Sequence, residues 1–96
     1  MATKQIRVHL EHEDCTLIER LYYEYCGARD IIGFLMQQPQ INEEKLQEYI
    51  NITEKRYAEL EVNKAQVDAH YRPEGIDPIQ FEFDFVNEDL VYTVNE

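Results

Sequence analysis

What this chain lacks narrows its possible functions first. Among its 96 residues there are no tryptophans, two cysteines, three glycines and three prolines. Three scattered glycines cannot build a phosphate-cradling loop, and no P-loop, G-x-G-x-x-G or G-x-S-x-G pattern occurs, so the nucleotide-binding and serine-hydrolase signatures are excluded. Glu-x-x-His, the helical motif of ferritin-like iron sites, is also missing. No stretch approaches the roughly 18 uninterrupted apolar residues of a membrane span, and Met1-Ala2-Thr3-Lys4-Gln5 lacks the apolar core of a signal peptide. These absences lead to the expectation of a cytoplasmic protein with no membrane contact.

Positive charge is equally scarce. Nine Lys and Arg face twenty Asp and Glu, a formal charge of −11, and no basic residue follows Arg72. Residues 73–96 hold seven acids and no base, so this last quarter carries −7 of the −11. That asymmetry points to a C-terminal segment facing solvent or a basic partner, and it disfavours direct contact with nucleic acid or an anionic membrane, which repel it.

The two cysteines, Cys15 and Cys26, stand about 16 Å apart if both lie on one helix, beyond disulfide reach. They are read as free thiols, Cys15 being the more reactive because it lies near a helix start, and Cys26 as a small apolar filler. Asn51-Ile52-Thr53 matches the glycosylation pattern but falls in a helical stretch without an export signal.

What is present is enough to fold. With 44% hydrophobic and 11% aromatic residues, the chain reads as one globular domain spanning residues 1–96. Residues 4–10 alternate, Ile6, Val8 and Leu10 against Gln5, Arg7 and His9, the period of a half-buried strand. A helix follows over 14–38, opened by Asp14 or by Thr16 with Glu19 as a capping box. Its apolar seam is Ile18, Leu21, Tyr25, Ala28, Ile32 and Leu35 at spacings of three and four, and Pro39 closes it.

Asn42 caps a second helix over 42–72, with Ile41 and Leu46 placed as a hydrophobic staple. The second seam is Leu46, Ile50, Thr53, Tyr57, Leu60, Lys64, Val67 and Tyr71. A connection of about three residues forces the two helices antiparallel. A separate stripe, Ala58, Val62, Ala65 and Ala69, calls for another element to cover it. Residues 79–94 read as a β-hairpin, with Ile79, Phe81, Phe83 and Phe85 alternating with Gln80, Glu82 and Asp84. The predicted fold class is α+β, an antiparallel αα-hairpin with a small antiparallel sheet in the order β-α-α-β-β.

Candidate chemistry is sparse. His9, Glu11, His12, Glu13, Asp14 and Cys15 form the only metal-like cluster, at a spacing that matches no specific zinc pattern, so neither metal nor cofactor is expected. The many carboxylates lack an evident concave site to separate their pKa values, and no enzymatic activity is expected. Lys64, at a seam position, reads either as a polar residue that fixes register or partner choice or as an aliphatic stem that packs while its ammonium reaches water.

The leading functional expectation is therefore a non-catalytic interaction module, an adaptor or assembly subunit, with Phe81, Glu82, Phe83, Asp84 and Phe85 together with Tyr22 and Tyr23 as the partner-binding surface. Its partner is a protein with a basic surface, or a second copy in a homodimer. Alternative readings are an acidic inhibitor or immunity-type protein blocking a basic active site, by nucleic-acid mimicry in one version, and a precursor presenting its C-terminal segment to a modifying enzyme.

Overall fold

The computed structural model describes residues 2–96. Along the chain run strand β1 (Thr3–His9), helix α1 (His12–Met36), helix α2 (Glu43–Tyr71) and strands β2 (Gln80–Asp84) and β3 (Asp89–Asn95). The fold is α+β, with an antiparallel helical hairpin and a three-stranded antiparallel sheet in the order β1-β3-β2.

Each element starts and stops for a local reason, though not always the one the sequence indicates. The Asn42 side chain accepts from the Lys45 backbone N–H at 3.0 Å, so α2 is capped as its sequence predicts, while Ile41 stays exposed. Helix α1 begins two residues earlier than position 14, with Glu11 at the cap position and no side-chain cap bond. Neither Asp14 nor Thr16 caps it. The Glu11 N–H donates instead to the Tyr71 hydroxyl at 3.1 Å, and that hydroxyl donates to Asp14 at 2.6 Å. A residue from the far end of α2 thus ties down the start of α1, whose first turn receives no bond from the Glu11 side chain. Helix α1 tightens at its end, where Gln37 N–H reaches back to the Phe34 carbonyl, and it stops at Met36 rather than Gln38.

The strands are likewise shifted by a residue or so from 4–10 and 79–94, because cross-strand pairing sets their ends. Thr3 pairs with Asn95 and His9 with Asp89. Ile79, counted as strand from its alternation, lies outside β2 and is exposed.

Ile6, Tyr92 and Phe81 align across the three strands, as do Val8, Leu90 and Phe83. This face packs on Leu10, Cys15, Ile18 and Leu21, joined by Leu60 and Val67 of α2. Tyr92 and Leu90 are fully buried, and removing each such side chain from water contributes about 1.5–3 kcal/mol. The sheet therefore covers the seam at the end of the hairpin where α1 begins and α2 finishes. It does not cover the Ala58, Val62, Ala65 and Ala69 stripe, all of which are exposed. That expectation is corrected: the seams are still open at one end of a two-helix layer, and the sheet buries more apolar area there than on a row of alanines. The outer half of the hairpin extends beyond the sheet, and the molecule measures 53 × 34 × 21 Å.

Candidate functional site

Strand β2 is an edge, so one side of its backbone has no partner strand among the described residues. Phe81 and Phe83 point from its inner face, and Phe85 follows in the turn. All three are half-buried against the core, as an amphipathic strand packed on a helical hairpin requires. Their rings form a row. Phe81 lies 6.0 Å from Tyr92 and 6.1 Å from Phe83, and Phe83 stacks on Phe85 at 6.2 Å. Tyr22 of α1 continues it, 6.1 Å from Phe85, and Tyr23 ends it, 5.7 Å from Tyr22. Tyr22 is 42% and Tyr23 62% exposed.

Beside this row lies a groove of about 380 Å³ between the sheet edge and the hairpin, with Ile18 and Tyr22 on one wall, Leu60 and Lys64 on another, and Phe81, Phe83 and Phe85 along the strand. The Lys64 stem lines the groove and its ammonium reaches Glu61 at 3.3 Å, the snorkelling arrangement read from its seam position. A second depression, of about 470 Å³, shares Glu82, Phe83 and Phe85 and continues round the strand toward Tyr23 and Val86. The structure thus brings Tyr22, Tyr23, Phe81, Phe83 and Phe85 together, with Glu82 exposed at the rim.

Asp84 lines the second depression with Tyr23, Phe83 and Phe85 but not the groove. It faces the outer side of the sheet, where Arg7 donates to it at 2.9 Å and to Asp89 at 3.1 Å. Asp84 and Asp89 are direct cross-strand partners, and like charges so placed repel. The sequence leaves that repulsion without a neutralising base, because none follows Arg72; the base comes from β1. Asn87 also binds the Asp84 carboxylate through its side-chain amide at 2.8 Å and its backbone N–H at 3.2 Å. These bonds, with the guanidinium beside them, hold the Asp84 carboxyl down to about 2. His9 contacts Asp89 at 3.2 Å and His12 contacts Glu88. Two acids of the C-terminal segment, Asp84 and Asp89, therefore share one cation inside the fold, whereas Glu82 has no ion-pair partner among the described residues.

No known family model, curated protein or solved structure matches the chain.

Both cysteines are free, as their spacing indicates, but Cys15 departs from expectation. Cys15 is 3% exposed, in the core, and burial pushes its pKa up, so it is the less reactive of the two despite its place near the helix start. Cys26 is half-buried and free. With Cys15 turned inward and His9 and His12 turned to carboxylates, the cluster between His9 and Cys15 does not converge. Among the described residues no group of three or more His, Cys, Asp or Glu is placed to hold a metal ion, and no helix is long and apolar enough to cross a membrane.

Sequence reasoning missed Ile18, Leu60 and the Lys64 stem as groove walls, since each reads simply as a seam position. It missed Arg7 as well. The polar side of β1 was visible, but its position opposite two aspartates depends on the β1–β3 register.

Proposed function

We propose that this protein is a non-catalytic protein-binding module that takes a partner segment into the groove beside β2. The observation that carries this reading is the conjunction of an unpaired strand edge with a half-exposed aromatic row running along it. An edge of this kind supplies main-chain hydrogen bonds, and an adjoining apolar trough supplies side-chain pockets, the two components of recognition by strand addition. Aromatic residues with one face open are also the side chains that concentrate binding energy at interfaces.

The guanidinium of Arg7, set between Asp84 and Asp89, interrupts the broad negative surface through which an acidic inhibitor would work. A precursor role fits poorly with β3, which lies mid-sheet with Leu90, Val91, Tyr92 and Val94 buried. A homodimer has a separate motive in the exposed Phe34, Met36 and Ile41 at the far end of the hairpin; light scattering at high micromolar concentration tests it, and a strict monomer removes it.

The test of the main reading is affinity capture from native lysate with the intact chain and with Phe83→Ser, a residue half-buried at the groove, each checked for folding by near-UV circular dichroism. The expected result is a defined protein retained by the intact chain, lost with the variant, and slowing hydrogen exchange at residues 80–84 when the purified pair is mixed. Retention unchanged by a folded Phe83→Ser, or a complex that leaves residues 80–84 exchanging freely, refutes the groove as the binding site.

A further inference from the structure

The geometry points to the chemistry of the segment that fills this groove. We propose that it is an extended stretch in which apolar residues alternate with Lys or Arg, added to β2 as a fourth strand. This rests on the preceding assignment of the groove as the binding site and goes on to specify its ligand.

The argument follows from strand periodicity. A strand laid along β2 continues the pleat, so alternate side chains point to opposite faces of the sheet. Those on the inner face descend beside Phe81 and Phe83 into a trough walled by Ile18, Tyr22, Leu60 and the stem of Lys64, whose ammonium is engaged by Glu61, where apolar groups recover the surface they remove from water. Those on the outer face come alongside Glu82, which is exposed and has no ion-pair partner among the described residues. An opposite charge on a neighbouring strand is favourable there and a like charge is not.

The other edge of the sheet differs. Strand β1 carries Lys4 and Arg7 and no aromatic residue, and charged side chains, Lys above all, are a common means of keeping an edge from pairing. A second copy pairing β2 with β2 in antiparallel fashion would bring the acidic Glu82 and Asp84 of both chains along one seam, and the net charge of −11 adds to that repulsion. The occupant favoured by charge is therefore a basic segment of another protein. Strand β2 has five residues, which at about 3.3 Å per residue defines a ligand stretch of roughly 17 Å.

Three synthetic peptides of about seven residues, long enough to span that strand, test the proposal against the full chain. One alternates valine with lysine, one has the same composition with valines and lysines in separate blocks, and one alternates valine with glutamate. Binding is read by NMR titration and by hydrogen exchange at residues 80–84. The alternating basic peptide is expected to bind at least about tenfold more tightly than either control, to slow exchange in β2, and to weaken several-fold when Glu82 is changed to Lys, an exposed substitution that leaves the core untouched. Its affinity should also fall as salt rises, because the outer-face charges are exposed.

Equal binding of the block peptide would reduce the effect to bulk electrostatics and overturn the proposal, as would binding that leaves residues 80–84 unprotected or is indifferent to Glu82→Lys. If no peptide binds while Phe83→Ser still abolishes capture of the native partner, the ligand pattern is wrong and the groove assignment stands. If neither experiment responds, both fall.

Discussion

Arg7 is the residue on which the polar face of the sheet depends. It joins Asp84 and Asp89 across three strands, and the bonds from the Asn87 side chain and then from Arg7 keep the Asp84 carboxyl at about 2, below the ordinary 3.8. Because the folded value lies below the unfolded one, Asp84 contributes stability that is fully present above about pH 4 and is lost as pH falls from there toward about 2. Thermal melts over that range should show the midpoint falling, and Asp84→Asn should flatten this part of the profile; an identical slope in the variant refutes the assignment. Arg7→Ala should lower the midpoint at neutral pH by uncovering the facing aspartates. Deeper in the fold, the Tyr92 hydroxyl donates to Asp68 at 2.7 Å, and Arg72 grips the same carboxylate at 2.7 Å. Burial raises the Asp68 pKa, but the bonds from Arg72 and Tyr92 outweigh it and hold the group below its usual value. Tyr92→Phe should cost about 1–2 kcal/mol in urea unfolding, since one acceptor in a partly buried network loses its donor.

At the scale of the element, α1 and α2 have different weaknesses. Gly27 and Gly33 lie within α1, and a methyl group built on either meets nothing within 4 Å. No intramolecular neighbour uses the close approach a glycine allows, so each only weakens the helix. Gly27→Ala and Gly33→Ala should each stabilise the protein by about 0.5–1 kcal/mol, read as a rise in the denaturation midpoint. Gly75 is the contrasting case, because its φ of +80° belongs to the left-handed region, and Gly75→Ala should destabilise. Helix α2 relies on its cap: Asn42→Ala removes the bond to the Lys45 N–H and should cost about 1 kcal/mol.

Across the whole molecule the core is placed at one end. The buried residues of α2 are Leu60 and Val67, and those of α1 are Cys15, Ile18, Leu21 and Ala28, so all but Ala28 lie beneath or beside the sheet. The outer hairpin is held by one two-helix seam with half-buried contacts such as Tyr25 on Tyr57, 5.4 Å apart. Local opening follows the density of buried apolar contacts. Native-state hydrogen exchange should therefore find residues 29–55 opening with markedly lower free energy than residues 58–71, and uniform protection along α2 would contradict this account. A rigid sheet end carrying the groove and a looser hairpin tip is the division of labour that results.

Much of this architecture is written in local patterns. The three-and-four spacing from Ile18 to Leu35 and from Leu46 to Tyr71, the end of α1 within two residues of the predicted position, the cap at Asn42 and the alternation of Phe81, Phe83 and Phe85 depend only on periodicity and on backbone groups within a turn or two, so they could be read along the chain. What the tertiary structure decided is every feature that joins residues distant in sequence. Examples are the anchoring of the α1 start by the Tyr71 hydroxyl, the bridging of Asp84 and Asp89 by Arg7, the burial of Cys15, and the choice to cover the seams at one end while leaving the alanine stripe bare. Those outcomes hang on strand register and on which surfaces compete to be buried, quantities that belong to the assembled fold and to no single stretch of it.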